Sequence, residues 1–204
     1  MTREFVLLAL KANTDGSFNL ENLPSAGRID LVCRCVSNAL FISNAMRKNT
    51  IIHACLNGFP SSQSPKIVSF YGNSLRGMEW DELSIARFLQ KALIAGRNLK
   101  LGEEKEVTPG LKVSKKAFET LIQEKAKKEE KKIFYLSEKG EDIRNKKFEG
   151  NEVFVVGDFV GFPKNTEKLL KRIGAEKIKV SPLTIMASHC IILVHNELDR
   201  REIL

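Results

Sequence analysis

Glu152-Val-Phe-Val-Val-Gly-Asp-Phe-Val-Gly-Phe-Pro163 is an unbroken apolar, β-branched run that gives way to two glycines and a proline. A strand with one face in water would alternate polar and apolar residues. This one does not, so it predicts a strand buried on both sides, as in a parallel sheet covered by helices. Pro163 then opens, and Gly174 closes, a short helix carrying Leu169, Leu170 and Ile173.

Outward from this unit, Phe5-Val-Leu-Leu-Ala-Leu10 and Thr50-Ile-Ile-His-Ala-Cys-Leu56 are continuous in the same way. Shorter strands are expected at residues 66–71, 133–136 and 177–180, each bounded by Gly, Pro, Ser or charged clusters. Ile29, Val32, Cys33, Val36, Ala39, Leu40 and Met46 recur at helical spacing, which predicts a helix over 30–46. Asp81 is placed to cap a second helix through Ala95, and Ser114 a third holding Ala117, Phe118, Leu121 and Ile122. A fifth helix, over 185–198, reads as apolar almost all round, hence buried in the core or against another subunit. The charged run Lys125-Ala-Lys-Lys-Glu-Glu-Lys-Lys132 reads first as a solvated helix end laced with i,i+4 pairs and second as a phosphate-contacting patch. Strands alternating with helices predict an α/β fold whose ligands sit beyond the carboxyl ends of the strands.

The chain has 204 residues, the size of one α/β domain. No apolar stretch approaches the roughly 20 residues needed to span a bilayer, and the start lacks the build of a secretory signal, so no membrane partner and a cytoplasmic location are expected. The four cysteines, at 33, 35, 55 and 190, form no metal-ligand spacing, so neither zinc nor a disulfide framework is expected. Thirty-three Lys+Arg against 25 Asp+Glu give a formal charge of +8, which leans towards a polyanionic partner.

Three late strands end in small or turn-forming residues: Leu136-Ser-Glu-Lys-Gly140, Val156-Gly-Asp-Phe-Val-Gly-Phe-Pro163 and Val180-Ser-Pro-Leu-Thr-Ile185. Glycines there let backbone groups hydrogen-bond a flat heterocycle such as adenine. No GxGxxG or GxxxxGK[ST] is present, which disfavours dinucleotide and P-loop sites.

Val155-Val-Gly-Asp-Phe-Val-Gly-Phe-Pro163 and Ser181-Pro-Leu-Thr-Ile-Met-Ala-Ser-His-Cys190, followed by Asn196-Glu-Leu-Asp-Arg200, resemble the archaeal tRNA pseudouridine N1-methyltransferases of the SPOUT superfamily. The match is strongest over 133–200; Gly27-Arg-Ile-Asp30, Arg34 and Ser74-Leu-Arg-Gly77 fit more loosely. The resemblance implies a single SPOUT-type domain over 1–204: a mostly parallel sheet flanked by helices, an RNA-facing basic part over 1–130, and a part over 131–204 tied in a deep trefoil knot. It further implies a homodimer that binds S-adenosyl-L-methionine (SAM) and no metal. The methyl donor would be held by Leu136, Gly157, Val180, Ser181, Pro182, Leu183, Thr184 and Ile185, with Cys190 closing the pocket. The address implied is N1 of the pseudouridine at position 54 of the tRNA T-loop. Where the family often has a histidine, this chain has Phe159.

Methyl transfer from a sulfonium needs the attacking nitrogen held roughly 3 to 3.5 Å from the methyl and in line with it. The N1 proton must also leave, and Asp30, at a helix start, is the candidate carboxylate. Arg28, Arg34, Arg47 and Arg76 are candidates for phosphate contact, since guanidinium forks match phosphate oxygens. A ribosomal RNA pseudouridine N1-methyltransferase of the sister SPOUT family, acting also in ribosome assembly, and a non-catalytic RNA-binding module are the competing readings.

Overall fold

A computed structural model of the chain describes residues 2–43 and 45–203. Its sheet is built around β1 (Arg3–Ala9), which pairs in parallel with β4 (Thr50–Leu56) and β9 (Glu152–Gly157), so that Phe5 lies between Ile52 and Phe154. Beyond β9 come β8 (Lys132–Asp142) and β10 (Glu176–Lys179), also parallel. On the other side β4 meets β5 (Lys66–Tyr71), then β7 (Leu111–Ser114) and β6 (Glu104–Thr108), all antiparallel, giving the order β10-β8-β9-β1-β4-β5-β7-β6.

Both faces are covered, which is why the central strands read as unbroken apolar runs. Phe5, Leu7 and Ala9 point towards α1 (Ile29–Leu40), α2 (Glu82–Ala95) and α5 (Ala187–Ile203), while Val6 and Leu8 meet α3 (Phe118–Lys127) and α4 (Lys164–Arg172). Phe5, Val6, Leu7 and Leu8 are at most 1% exposed, and burying each contributes about 1.5–3 kcal/mol. Asp81 caps α2 as expected, its carboxylate accepting the Ser84 N–H at 2.9 Å.

Four expectations are corrected. First, α1 stops at Leu40 instead of continuing to Met46: Phe41 turns extended, Arg47 N–H returns to the Leu40 carbonyl at 2.7 Å, and β2 (Phe41–Ile42) pairs with β3 (Ala45–Met46). Met46 reaches the core through this hairpin instead of a fourth helical turn. Second, Ser114 does not cap α3; it is held in the ladder between Ile67 and Glu104, and α3 starts four residues later at Phe118, after Ala117, whose side chain offers no cap. Third, α5 is not enclosed by the core all round: the core covers one face, through Ile191, Val194, His195 and Leu198, and Ile192 stays exposed in the single chain, which leaves burial against another subunit as the other expected reading. Fourth, the charged run at 125–132 is not all solvated: Lys125 turns inward to the buried Glu4 at 2.7 Å, and Glu4 also accepts from His53 at 2.8 Å. No helix among the described residues is long and apolar enough to cross a membrane.

Candidate functional site

The parallel strands point their carboxyl ends at one edge of the molecule, and a cleft of about 670 Å³ opens there. Three loops make its walls. The first comes from an irregularity in β8: β10 pairs with Phe134 and Tyr135, then jumps to Glu141 and Asp142. The skipped residues bulge outward, and Leu136, Ser137 and Glu138 line the cleft. Gly140 makes the bulge possible, since a Cβ there would sit 2.4 Å from the Ile178 backbone.

The second wall follows β9. Gly157 lets the loop fold back, because its missing Cβ would already meet the Gly161 backbone at 3.3 Å. Asp158 fastens the turn: its N–H donates to the Leu8 carbonyl, and its carboxylate accepts the N–H groups of Leu10 and Val160, each at 2.8 Å. Burial pushes the Asp158 carboxyl up, while the amide donors pull it back in part.

The third wall, from Ile178 to Ala187, leads into α5. Thr184 donates its hydroxyl to Glu138 at 2.9 Å, tying this loop to the β8 bulge. Cys190 looks in from α5, half-buried, and burial raises its thiol so that it stays protonated. His189 beside it is exposed.

Of the nine residues expected to hold a cofactor, eight line this cleft; Pro182 is exposed and lies outside the lining. Sequence reasoning missed Leu31, Glu138, Asp158 and Phe162, which line it too. Asp158 and Phe162 stood inside the quoted loop, and the signal was an acid amid apolar residues. The floor is apolar, with Leu31, Val156 and Val180. Glu138 and Glu167 stand at the cleft's more exposed margin, while Asp158 lines it from within, its carboxylate held by the turn amides. That arrangement suits a ligand with a flat ring, a diol and positive charge.

Asp30 begins α1 and is 4% exposed. Burial works to raise its carboxyl, but the hydrogen bonds and charges of Arg28 and Arg34 prevail and hold it below the usual carboxylate range. Arg28 approaches with Nε and Nη2, both at 3.0 Å, and Arg34 with Nη2 at 2.7 Å. Gly27 and Arg28 both have left-handed backbones, with φ of 72° and 69°. At Gly27 no side chain fits, since a Cβ would lie 1.7 Å from the Lys11 carbonyl oxygen. The turn aims Arg28 at the cleft rim, its guanidinium carbon 5.5 Å from the Phe159 ring centre.

The other two arginines lie elsewhere. Gly72, just beyond β5, donates to the carbonyl of Thr50, the first residue of β4, so Arg47 and Arg76 flank the end of the sheet opposite the cleft. Arg47 is committed to Asp199, with bonds of 3.0 and 2.7 Å. Arg76 is exposed and, among the described residues, its side chain hydrogen-bonds only carbonyls of its own turn. Among the described residues, no group of His, Cys, Asp and Glu is placed to hold a metal ion.

The family model described as "Putative SAM-dependent RNA methyltransferase" matches residues 2–203. Similar proteins include three named tRNA (pseudouridine(54)-N(1))-methyltransferase. That of Methanococcus vannielii is 45% identical over 203 residues, covering 97% of this chain and 98% of its own. Those of Methanocaldococcus jannaschii and Methanosarcina acetivorans are 40% and 43% identical, covering 98% of this chain and 98% and 92% of theirs. Among solved structures, Archaeoglobus fulgidus Nep1 bound to S-adenosylhomocysteine superposes over the whole of both chains with a TM-score of 0.65 at 12% identity, a likeness of fold.

Proposed function

The chain belongs to the SAM-dependent RNA methyltransferase family whose model spans it, and from that premise we propose that it methylates N1 of pseudouridine 54 in tRNA. The observation that carries this reading is the convergence of the β8 bulge, the Gly157 turn and the 180–186 loop on one cleft, in a chain 45% identical over nearly its full length to an enzyme named for that reaction. The cleft's apolar floor fits an adenine ring, and its rim carboxylates fit ribose hydroxyls and a cationic methionyl group. Bound SAM supplies an electrophilic methyl carbon.

The protein's own task is to place N1 of the base in line with that methyl and to ease loss of the N1 proton. Asp30, put forward as the acceptor of that proton, has both oxygens engaged by guanidinium groups and its basicity lowered. We therefore assign it the positioning of Arg28. In this reading Arg28, 41% exposed at the cleft rim, donates to a uracil carbonyl oxygen as the ring acquires negative charge, and the proton passes to water. Arg34 supports the same carboxylate, and Arg28 and Arg34 neutralise nearby phosphates.

The same proposal includes a single SPOUT-type domain with a deep trefoil knot near its C-terminus, acting as a homodimer in the cytoplasm. Support for the knot is the out-of-order run β10-β8-β9-β1, whose loops share one cleft. Support for the dimer is the exposure of Ile42, Leu183, Met186 and Ile192 near α1 and α5. The test is to incubate the purified protein with labelled SAM and T-loop RNAs that differ only in carrying pseudouridine or uridine at position 54. Label is expected only in the pseudouridine RNA. Equal labelling, or none, overturns the proposal.

A further inference from the structure

Towards the opposite edge of the sheet from the cofactor cleft, α2 and the edge strand β6 enclose an open groove of about 550 Å³. Its floor is apolar, with Ile94 and Val107, and three cations stand over it: Arg87, Lys91 and Lys105. All three are exposed, and among the described residues none of their side chains makes an ion pair or a hydrogen bond. Arg87 and Lys91 are four apart on one helix face, a like-charge pair that weakens the helix unless something neutralises it. The carboxylates nearby do not: Glu104 pairs with Lys112, and Glu106 accepts from Gly110 N–H, on the other face of β6.

The register of the sheet ties this groove to the cleft. Val156, in the cleft wall, pairs with Leu7, and the row continues through Ala54, Val68 and Val113 to Lys105. Leu7, Ala54, Val68, Val113 and Val156 all belong to the core layer beneath α1, α2 and α5, so groove and cleft open on one face. Five inter-strand steps of about 4.8 Å separate them, roughly 24 Å, a span that only a long polyanion bridges.

We propose that the α2–β6 groove is a second docking surface for the RNA substrate, binding phosphodiesters of the strand that leads away from the target base. This deepens the RNA-methyltransferase reading and rests on it. Flexible cationic stems over an apolar floor follow a backbone without reading its sequence.

The test compares wild type with the triple variant Arg87→Ala, Lys91→Ala, Lys105→Ala on full-length tRNA carrying pseudouridine 54. The groove is remote from the cleft, so kcat and the affinity for S-adenosylhomocysteine are expected to match wild type. The KM for tRNA is expected to rise at least about tenfold, and the slope of log affinity against log salt to fall by about 2 to 3, one phosphate contact per cation lost. An unchanged KM and salt slope would overturn the proposal and leave the groove to an acidic protein. A fall in kcat at constant KM would overturn it too. A wild-type protein that labels no tRNA would instead bring down the reading beneath it, and that result is read before any variant is compared.

Discussion

The guanidinium of Arg28, fixed by Asp30 two residues later, lies 5.5 Å from the centre of the Phe159 ring on the opposite wall of the cleft mouth. The start of α1 and the turn after β9, 130 residues apart in the chain, thereby form one rim. Replacing Arg28 by alanine is expected to lower kcat/KM for tRNA by roughly 10²-fold, as for loss of a single charge-stabilising donor. Lysine should recover little of this, because it lacks the planar fork. Asp30→Asn should have a smaller effect in the same direction, since it leaves Arg28 in place but loosely aimed. Calorimetry with S-adenosylhomocysteine should give wild-type affinity for all three. Wild-type turnover by Arg28→Ala would remove it from the mechanism.

Gly157 controls the other half of the site. A methyl there would press on the Gly161 backbone at 3.3 Å, while meeting the Phe162 ring at an ordinary contact distance of 3.5 Å, so the turn must give by a few tenths of an ångström where it lines the cleft. Gly157→Ala is expected to weaken S-adenosylhomocysteine binding by about tenfold or more, with a change in melting temperature of only a few degrees. Titration calorimetry decides. Unchanged affinity would mean that the turn does not touch the cofactor.

Two buried groups set the acid limit of the fold. Burial, together with the charges of Arg47 and Arg3, lowers His195 to about 3, so in the folded protein it stays neutral where the unfolded chain, at about 6.5, takes up a proton. Its contribution is complete above pH 6.5 and is lost as pH falls, at about 1.4 kcal/mol per pH unit. Burial alone would raise Glu4, yet His53 and Lys125 bring it down from 4.5 to about 2, so its contribution is intact above pH 4.5 and fades towards pH 2. Urea unfolding at pH 7, 5.5 and 4 should therefore show a steady loss. His195→Gln should flatten the loss between pH 6.5 and 4.5, and Glu4→Gln only the part below. Parallel curves for wild type and His195→Gln would refute the assignment.

The central strands were legible because burial on two faces leaves a one-dimensional signature: no polar residue interrupts Phe5 to Ala9 or Val153 to Val156. The edge hairpin β6–β7 carried no such mark. Glu104, Lys105 and Glu106 are exposed, and a strand that borrows its stability from one neighbour looks like a charged loop. The cleft could be read from its glycines and turn formers, since a close backbone approach demands them. What the arginines do could not: Arg47 is spent on Asp199, 152 positions later, and only the folded chain brings those two together.

The break in pairing between β8 and β10 carries a consequence for how the protein behaves when starved of methyl donor. β10 is the outermost strand, only four residues long, and the wall it supports belongs to the cleft. A ligand gripping that wall also holds the margin of the sheet shut, so occupancy and edge integrity are linked by mass action. In hydrogen exchange, the amides of residues 136–140 and 176–186 should be the first to open in the empty protein and the most slowed by added S-adenosylhomocysteine. The supply of methyl donor would then set the lifetime of this margin as well as the rate of the chemistry.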